Sequence, residues 1–301
     1  MNILVHLPQT AFLQIEAWDW PGVLVGDPRV AEALVIDPNV TLMKGQLDLY
    51  PELRVIVTAS TGTNHIDLAE CKGRDIRVLS LLDDRAGLDA IKASSEFTFL
   101  LLLATLKNLK KGLEEVAVGR WKANERLFRG SELHGRTVGI IGFGRIGQNM
   151  YRYCKVFGAD VKHIYDPRFV RGAKLEWLFE DCDIVVVCCS LTEVTYGLID
   201  YDLLSRLREG AVLVNTARGE VMVEADLLRI LLERSDLRVG IDVLAGEVVG
   251  THLASPLLCL NSVTVSPHMA GVTVESQEKA ARIALKLLQS LQLDITCSKI
   301  G

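Results

Sequence analysis

Three polar residues stand where strands of an α/β sheet would end, and their types suit one reaction. Arg218 lies in "NTARGE" (215–220), Glu247 closes "GIDVLAGE" (240–247), and His268 sits in "SPHMAG" (266–271). Hydride transfer to a ketone leaves an alkoxide that needs a proton, and histidine is the natural donor near neutral pH. A carboxylate such as Glu247 would orient the imidazole and stabilise its charge. An arginine can grip a carboxylate with two charge-assisted hydrogen bonds and polarise the neighbouring carbonyl. Together the three read as a site for a 2-oxo acid and its 2-hydroxy product. Taken singly each has a plain explanation: a surface charge, a solvated loop acid, a satisfied loop histidine. Their joint arrival at one rim is what argues for chemistry.

That rim also carries a nucleotide signature. Gly142, Gly144 and Gly147 spell G-x-G-x-x-G after the apolar run "TVGII" and before a helical pattern. The first glycine permits the tight turn, the second lets backbone approach a pyrophosphate, and the third lets helix and strand pack closely. Alone the pattern is weak. Here an acid, Asp166, ends the next strand 19 residues after Gly147, placed to accept hydrogen bonds from an adenosine ribose. A carboxylate there repels the extra phosphate of NADP, so NAD is the expected cofactor and NADP the less favoured one. Arg168, two residues on, weakens that inference.

The elements needed to position these residues follow from the hydrophobic pattern. From 137 onward, "TVGIIGF", "VKHIYD", "DIVVVCC", "AVLVNT", "LRVGIDVL" and "SVTVSP" read as buried parallel strands. Helical stretches such as "YDLLSRLREG" and "EADLLRILLERS" alternate with them, so the expectation is a doubly wound parallel sheet. "NILVHL", "GVLVG", "LRVIVTAS" and "IRVLSLL" repeat the theme near the start, as a second, smaller α/β unit. A long helix is expected from about 90 to 111, and a final amphipathic helix with Thr273 as N-cap and Glu275 in its first turn.

Composition limits the partners. Of 301 residues, 49% are hydrophobic and 24% charged, and the net charge of −5 argues against nucleic acid. The basic run "KNLKK" (107–111) beside Glu114 and Glu115 reads as a solvated helix face. Seven cysteines without paired spacing, and a start with no signal-peptide pattern, lead to the expectation of a cytoplasmic protein. The apolar run "FTFLLLLATL" is too short to cross a bilayer. Cys188 and Cys189, adjacent on a strand, would point to opposite faces, and no other spacing suggests a metal site.

The chain resembles the D-isomer-specific 2-hydroxyacid dehydrogenase family over nearly its whole length. The matching stretches are "TASTGTNHID" (58–67), "GRW" (119–121), "ELHGRTVGIIGFGRIGQ" (132–148), "NTARGE", "GIDVLAGE" and "SPHMAG", in the family's order and spacing. The resemblance implies an NAD-dependent dehydrogenase with a Rossmann cofactor domain (90–271) inserted into a smaller flavodoxin-like substrate domain (1–89 and 272–301). The substrate is then expected in the cleft between the domains. It implies Arg218, Glu247 and His268 as the catalytic set, with Arg145 and Ile146 on the pyrophosphate and Asp166 on the ribose. Cys189, Ser190, Thr195, Ala217, Asp242 and Thr61 would line the cofactor, with Asp242 near the nicotinamide amide. Ser60, Thr61, Gly62 and Thr63 would offer backbone amides to the substrate carboxylate, alongside Arg218 and His268. A homodimer is implied too, with residues 107–135, including Trp121, reaching the partner copy.

Three features depart from the family pattern. Ser190 and Val248 stand where proline is usual, and "DDRAGLDAIKASSE" (83–96) differs from the usual asparagine-containing hinge. His65 reads as a structural loop residue. Two other functions stay open: an NAD(H)-sensing binding protein of the corepressor type on the same fold, and oxidation of a phosphorylated hydroxy acid. The first is expected to carry a disordered tail or interaction modules, and no stretch of these 301 residues reads as one. The second needs basic residues facing the substrate, for which Arg54, Lys72, Arg74, Arg77 and Arg85 are the candidates.

Overall fold

A computed structural model describes residues 1–7, 17–122, 124–168, 172–247 and 254–297, with side chains to residue 291. Val248 lies outside the described residues. The chain divides into two compact units, Met1–Lys92 with Val272–Gly301, and Ala93–Gly271.

The first unit holds five parallel strands: β1 (Asn2–His6), β2 (Val23–Leu24), β3 (Ala33–Ile36), β4 (Val55–Thr58) and β5 (Arg77–Leu79). Their order is β2-β1-β3-β4-β5, the doubly wound order of flavodoxin-like sheets. Helices α1 (Lys44–Leu47) and α2 (Leu68–Gly73) lend Leu47 and Cys71 to one face, against Leu34, Ile36 and Ile56. The C-terminal helix Val274–Cys297 and α3 (Arg85–Asp89) cover the other face, packing Ala281, Ala284 and Leu288 on Ile3, Val35 and Val57. Thr273 caps that C-terminal helix as expected, its hydroxyl accepting from Ser276 N at 3.1 Å.

The second unit holds six parallel strands: β6 (Thr137–Ile141), β7 (Asp160–Tyr165), β8 (Ile184–Val187), β9 (Val212–Asn215), β10 (Arg238–Ile241) and β11 (Val263–Val265). All six were expected from the sequence. Their order, β11-β10-β9-β8-β6-β7, reverses direction between β6 and β8, which is where an open sheet binds its ligand. Helices α4 (Ala93–Leu106), α5 (Leu109–Ala117), α6 (Arg145–Val156), α7 (Leu175–Asp181), α8 (Tyr201–Ser205) and α9 (Glu224–Glu233) follow. The C-terminal helix is α10. Leu101 and Leu102 of α4 with Met150 of α6 cover one face; Phe179, Leu204 and Leu227 of α7 to α9 cover the other. Cys188 packs on the first of these cores and Cys189 lies in the second, on opposite faces.

One strand was not among those expected, and two local expectations change. β3 lies at the centre of its sheet with every residue buried. Its four-residue apolar run has no alternation to mark it as a strand. The long helix is two helices: α4 ends at Leu106, Asn108 turns left-handed with φ +53°, and α5 starts at Leu109. Asparagine tolerates that conformation, and Ser131 N takes the freed Leu106 carbonyl at 2.8 Å. The basic run is only partly solvated, because Lys110 Nζ donates to the carbonyls of Leu260 and Val263 at 3.0 and 2.8 Å.

Candidate active site

The glycine turn at the end of β6 has the geometry that its three glycines require. Gly142 has φ +91°, and a Cβ there would lie 2.5 Å from Cys189 N at the end of β8. A Cβ on Gly147 would fall 2.0 Å from the Gly142 carbonyl, so α6 can lie against the turn only without one. At Gly144 a Cβ would meet only the tip of Arg168, at 4.0 Å. That leaves room above the first turn of α6, where Arg145 and Ile146 begin the helix and its amide dipole favours a phosphate. These residues fit a dinucleotide.

Asp166, at the end of β7, is nearly buried. Its Oδ2 accepts from Phe143 N at 2.7 Å, which ties the acid to the glycine turn. Arg168 closes on the same carboxylate and, with that amide, holds its pKa down to about 2. Neither contact was apparent from the sequence, where Arg168 figured only as a nearby positive charge. Cys189 is buried and Ser190 exposed, while the buried Thr195 hydroxyl donates to Ser190 O at 2.7 Å and accepts from Thr192 N at 2.7 Å. Thr195 thus folds the loop after β8.

Arg218, Glu247 and His268 follow β9, β10 and β11, three adjacent strands. Asn215 shapes the first loop, accepting from Ala217 N at 2.9 Å and donating to Arg218 O at 3.0 Å. Its role has a sequence signal in hindsight: an asparagine at a strand end folds the turn that follows. Buried Ala217 and Gly219 flank the arginine. A Cβ on Gly219 would lie 2.1 Å from Leu244 C, so the first two loops press together. Glu220 also bonds across, accepting from Gly246 N at 3.1 Å. The Arg218 guanidinium makes one hydrogen bond to the described residues, to Ala217 O at 2.6 Å.

Glu247 and His268 meet through Oε1 and Nδ1. That contact turns Nε2, the nitrogen able to carry a proton to a substrate, away from the carboxylate. The His268 side chain is 45% exposed and Glu247 25% exposed. Asp242, 1% exposed, anchors the histidine's loop. Its Oδ1 accepts from Ser266 Oγ at 2.6 Å and Met269 N at 2.9 Å, and its Oδ2 from Ala270 N at 2.9 Å. Those bonds bracket His268, which is left-handed with φ +52°.

Ser60, Thr61, Gly62 and Thr63 belong to the first unit, at the carboxyl end of β4. Ser60 Oγ donates to Gly62 O at 2.6 Å and lies 2.9 Å from Thr58 Oγ1, itself 3.1 Å from His65 Nε2. A hydroxyl has one proton, so the chain runs from His65 Nε2–H to Thr58, then Ser60, then Gly62 O. His65 thereby braces this loop. Of the basic candidates in this unit, Arg54 and Arg77 stand at the amino ends of β4 and β5, with Lys72 and Arg74 at the end of α2. Arg74 is also paired with Asp48 and Glu70. Ligands bind beyond the carboxyl ends of such strands, where only Arg85 remains.

Among the described residues no helix is long and apolar enough to cross a membrane, and no cluster of His, Cys, Asp and Glu could hold a metal ion.

Comparison with known proteins identifies the family. The model of the D-isomer specific 2-hydroxyacid dehydrogenase NAD binding domain matches residues 99–270. A glyoxylate reductase of Thermococcus litoralis is 31% identical over 300 residues, covering 92% of this chain and 87% of its own. The human glyoxylate reductase/hydroxypyruvate reductase is 35% identical over 243 residues, covering 77% of this chain and 72% of its own. The crystal structure of D-lactate dehydrogenase from Aquifex aeolicus, complexed with NAD and lactic acid, has a TM-score of 0.77 at 24% identity and covers 98% of this chain and 96% of that one. That last likeness is one of fold. With more than half of its length matched by the family model and a relative 31% identical over most of it, this chain belongs to the D-isomer specific 2-hydroxyacid dehydrogenases and is an NAD-dependent oxidoreductase of 2-hydroxy acids.

Proposed function

We propose that the protein interconverts a small, unphosphorylated 2-oxo acid and its 2-hydroxy acid, with glyoxylate and hydroxypyruvate the first candidates. The observation that carries this reading is the Glu247–His268 pair, which sits beside the loop that brings Arg218. In this reading Arg218 binds the substrate carboxylate with its two-pronged guanidinium and polarises the adjacent carbonyl. His268 donates a proton from Nε2 to the developing alkoxide, and Glu247 holds the ring by Nδ1. NADH supplies the hydride when bound. Asp242 anchors the His268 loop, and Arg145, Ile146 and Asp166 hold the pyrophosphate and ribose. The remaining assignments, Cys189, Ser190, Thr195, Ala217 and Thr61 along the cofactor and Ser60 to Thr63 on the substrate carboxylate, rest on the family resemblance. So do the roles of the two units, the first for substrate and the second for cofactor.

The choice of substrate is supported by the names of the relatives, glyoxylate reductase and glyoxylate reductase/hydroxypyruvate reductase. The basic residues of the first unit support it as well, since four of the five stand at the wrong edge for a phosphate. We also infer a homodimer. Leu109, Leu113 and Val116 form an exposed apolar stripe along α5, followed by Trp121 at 76% exposure. A second copy of the cofactor unit is the partner this stripe suits, and a monomer in sedimentation at micromolar concentration would contradict it. A reducing, cytoplasmic setting suits the scattered cysteines, of which the described six are unpaired.

The test is to follow NADH absorbance with glyoxylate, hydroxypyruvate, pyruvate, bulkier 2-oxo acids and phosphorylated ones. Turnover should be fastest with the small acids and fall by about 10²–10⁴ in His268→Ala. Arg218→Ala should cost a comparable amount, chiefly through KM. Tight NADH binding with no turnover on any acid would favour the sensing protein instead.

A further inference from the structure

We propose that Arg168 sets the cofactor selectivity of this chain: it competes with the adenosine ribose for Asp166 and, once displaced, gives the 2′-phosphate of NADPH a cationic partner, so that the protein takes NADPH as well as NADH. The proposal rests on the cofactor role of the second unit.

A carboxylate offers about four acceptor positions, two on each oxygen. In Asp166 all four are taken. Oδ1 accepts from Arg168 N at 3.0 Å and Arg168 Nε at 2.9 Å. Oδ2 accepts from Phe143 N at 2.7 Å and Arg168 Nη2 at 2.6 Å. A ribose hydroxyl can bind this acid only by displacing an existing donor. The Phe143 amide belongs to the glycine turn and cannot leave without opening it. The guanidinium can leave, because its side chain is 60% exposed while that of Asp166 is 3% exposed. The bidentate pair therefore acts as a removable cover over the ribose site.

Where the cover goes decides the second half. Arg168 Nη2 lies 4.0 Å from the place a Cβ on Gly144 would occupy, so the guanidinium already stands beside the phosphate-binding turn. Swung off the carboxylate by a ribose, it stays within reach of the 2′ position. There it meets the extra phosphate of NADPH, the partner its fork geometry suits best. Asp166 repels that phosphate and Arg168 attracts it. An acid alone selects for NADH; an acid with an arginine clamped on it narrows the preference from both directions, by taxing NADH and by rewarding NADPH.

The test measures binding, without substrate, from the fluorescence of NADH and NADPH titrated with wild type, Arg168→Met and Arg168→Lys. Wild type should bind the two within about tenfold of each other. Arg168→Met should bind NADH about 2- to 5-fold tighter, since a partly exposed ion pair no longer has to open. It should bind NADPH about tenfold or more weaker, having lost a charge-assisted partner. Arg168→Lys keeps the charge without the fork and should fall between. NADPH affinity in wild type should also weaken with added salt more steeply than NADH affinity. If Arg168→Met binds both as wild type does, or if wild type binds NADPH more than about 100-fold more weakly than NADH, a gap of over 2.7 kcal/mol, the proposal is overturned. If NADH does not bind wild type at all, the cofactor reading falls with it.

Discussion

Asp242 places no atom in the Glu247–His268 pair proposed for proton transfer, yet it accepts hydrogen bonds from three groups around His268. Buried and charge-assisted, that anchor keeps a left-handed histidine where Glu247 can meet it. Asp242→Asn preserves the shape but turns one acceptor into a donor that faces a donor. It should lower stability by about 1–3 kcal/mol and kcat by roughly 10- to 100-fold, with the proton donor misplaced. Thermal unfolding and steady-state rates check this together; unchanged kcat in a destabilised variant would leave Asp242 a purely structural residue. The residue types proposed for catalysis were readable in the sequence, because Arg218, Glu247 and His268 each follow an apolar strand. The sequence did not reveal what their neighbours do. The contacts of Asp242 with Ser266, and of Arg168 with Asp166, depend on side-chain directions that no spacing rule specifies.

Gly219 joins two elements. Its missing side chain lets the loop after β9 lie on the loop after β10, and a Cβ would overlap backbone atoms of Leu244 and Ala245 at 2.1 and 2.2 Å. Backbone cannot give way as a side-chain tip can. Gly219→Ala should therefore cost about 1–3 kcal/mol of stability and reduce turnover by displacing Arg218. Gly210→Ala, at a surface turn with open space around it, should cost far less and keep full activity. Equal losses in both would deny that the close approach matters. At this scale the sequence was informative wherever apolar runs were bounded by turn residues, as for all six strands of the second unit. It was silent on β3, whose short apolar run is buried on both faces and shows no alternation. It was misleading at Asn108, which breaks an otherwise helical run with a left-handed turn, and Ser131 N binds the Leu106 carbonyl left there.

Across the whole molecule, the Asp166–Arg168 pair predicts a specific response to acid. The folded protein holds this carboxyl at about 2, below its ordinary value of 3.8. A depressed carboxyl adds stability above its unfolded pKa, and the gain disappears as pH falls through the folded one. Wild type should thus exceed Asp166→Asn by about 2 kcal/mol near neutrality, with the two curves converging between about pH 4 and pH 2. Melting temperatures across that window would decide it; parallel curves would mean that the pair does not stabilise the fold.

The central claim is that the rim formed by the loops after β9, β10 and β11 transfers hydride and proton to a 2-oxo acid. The most direct measurement uses NADH carrying deuterium at C4 on the transferred face, with glyoxylate or hydroxypyruvate as acceptor. The product is read by proton and deuterium NMR for wild type and His268→Gln. Deuterium is expected at C2 of the hydroxy acid in wild type, one atom per NADH consumed, with a rate at least about 100-fold lower in the variant. Consumption of NADH without deuterium at C2, or full activity in His268→Gln, would contradict it.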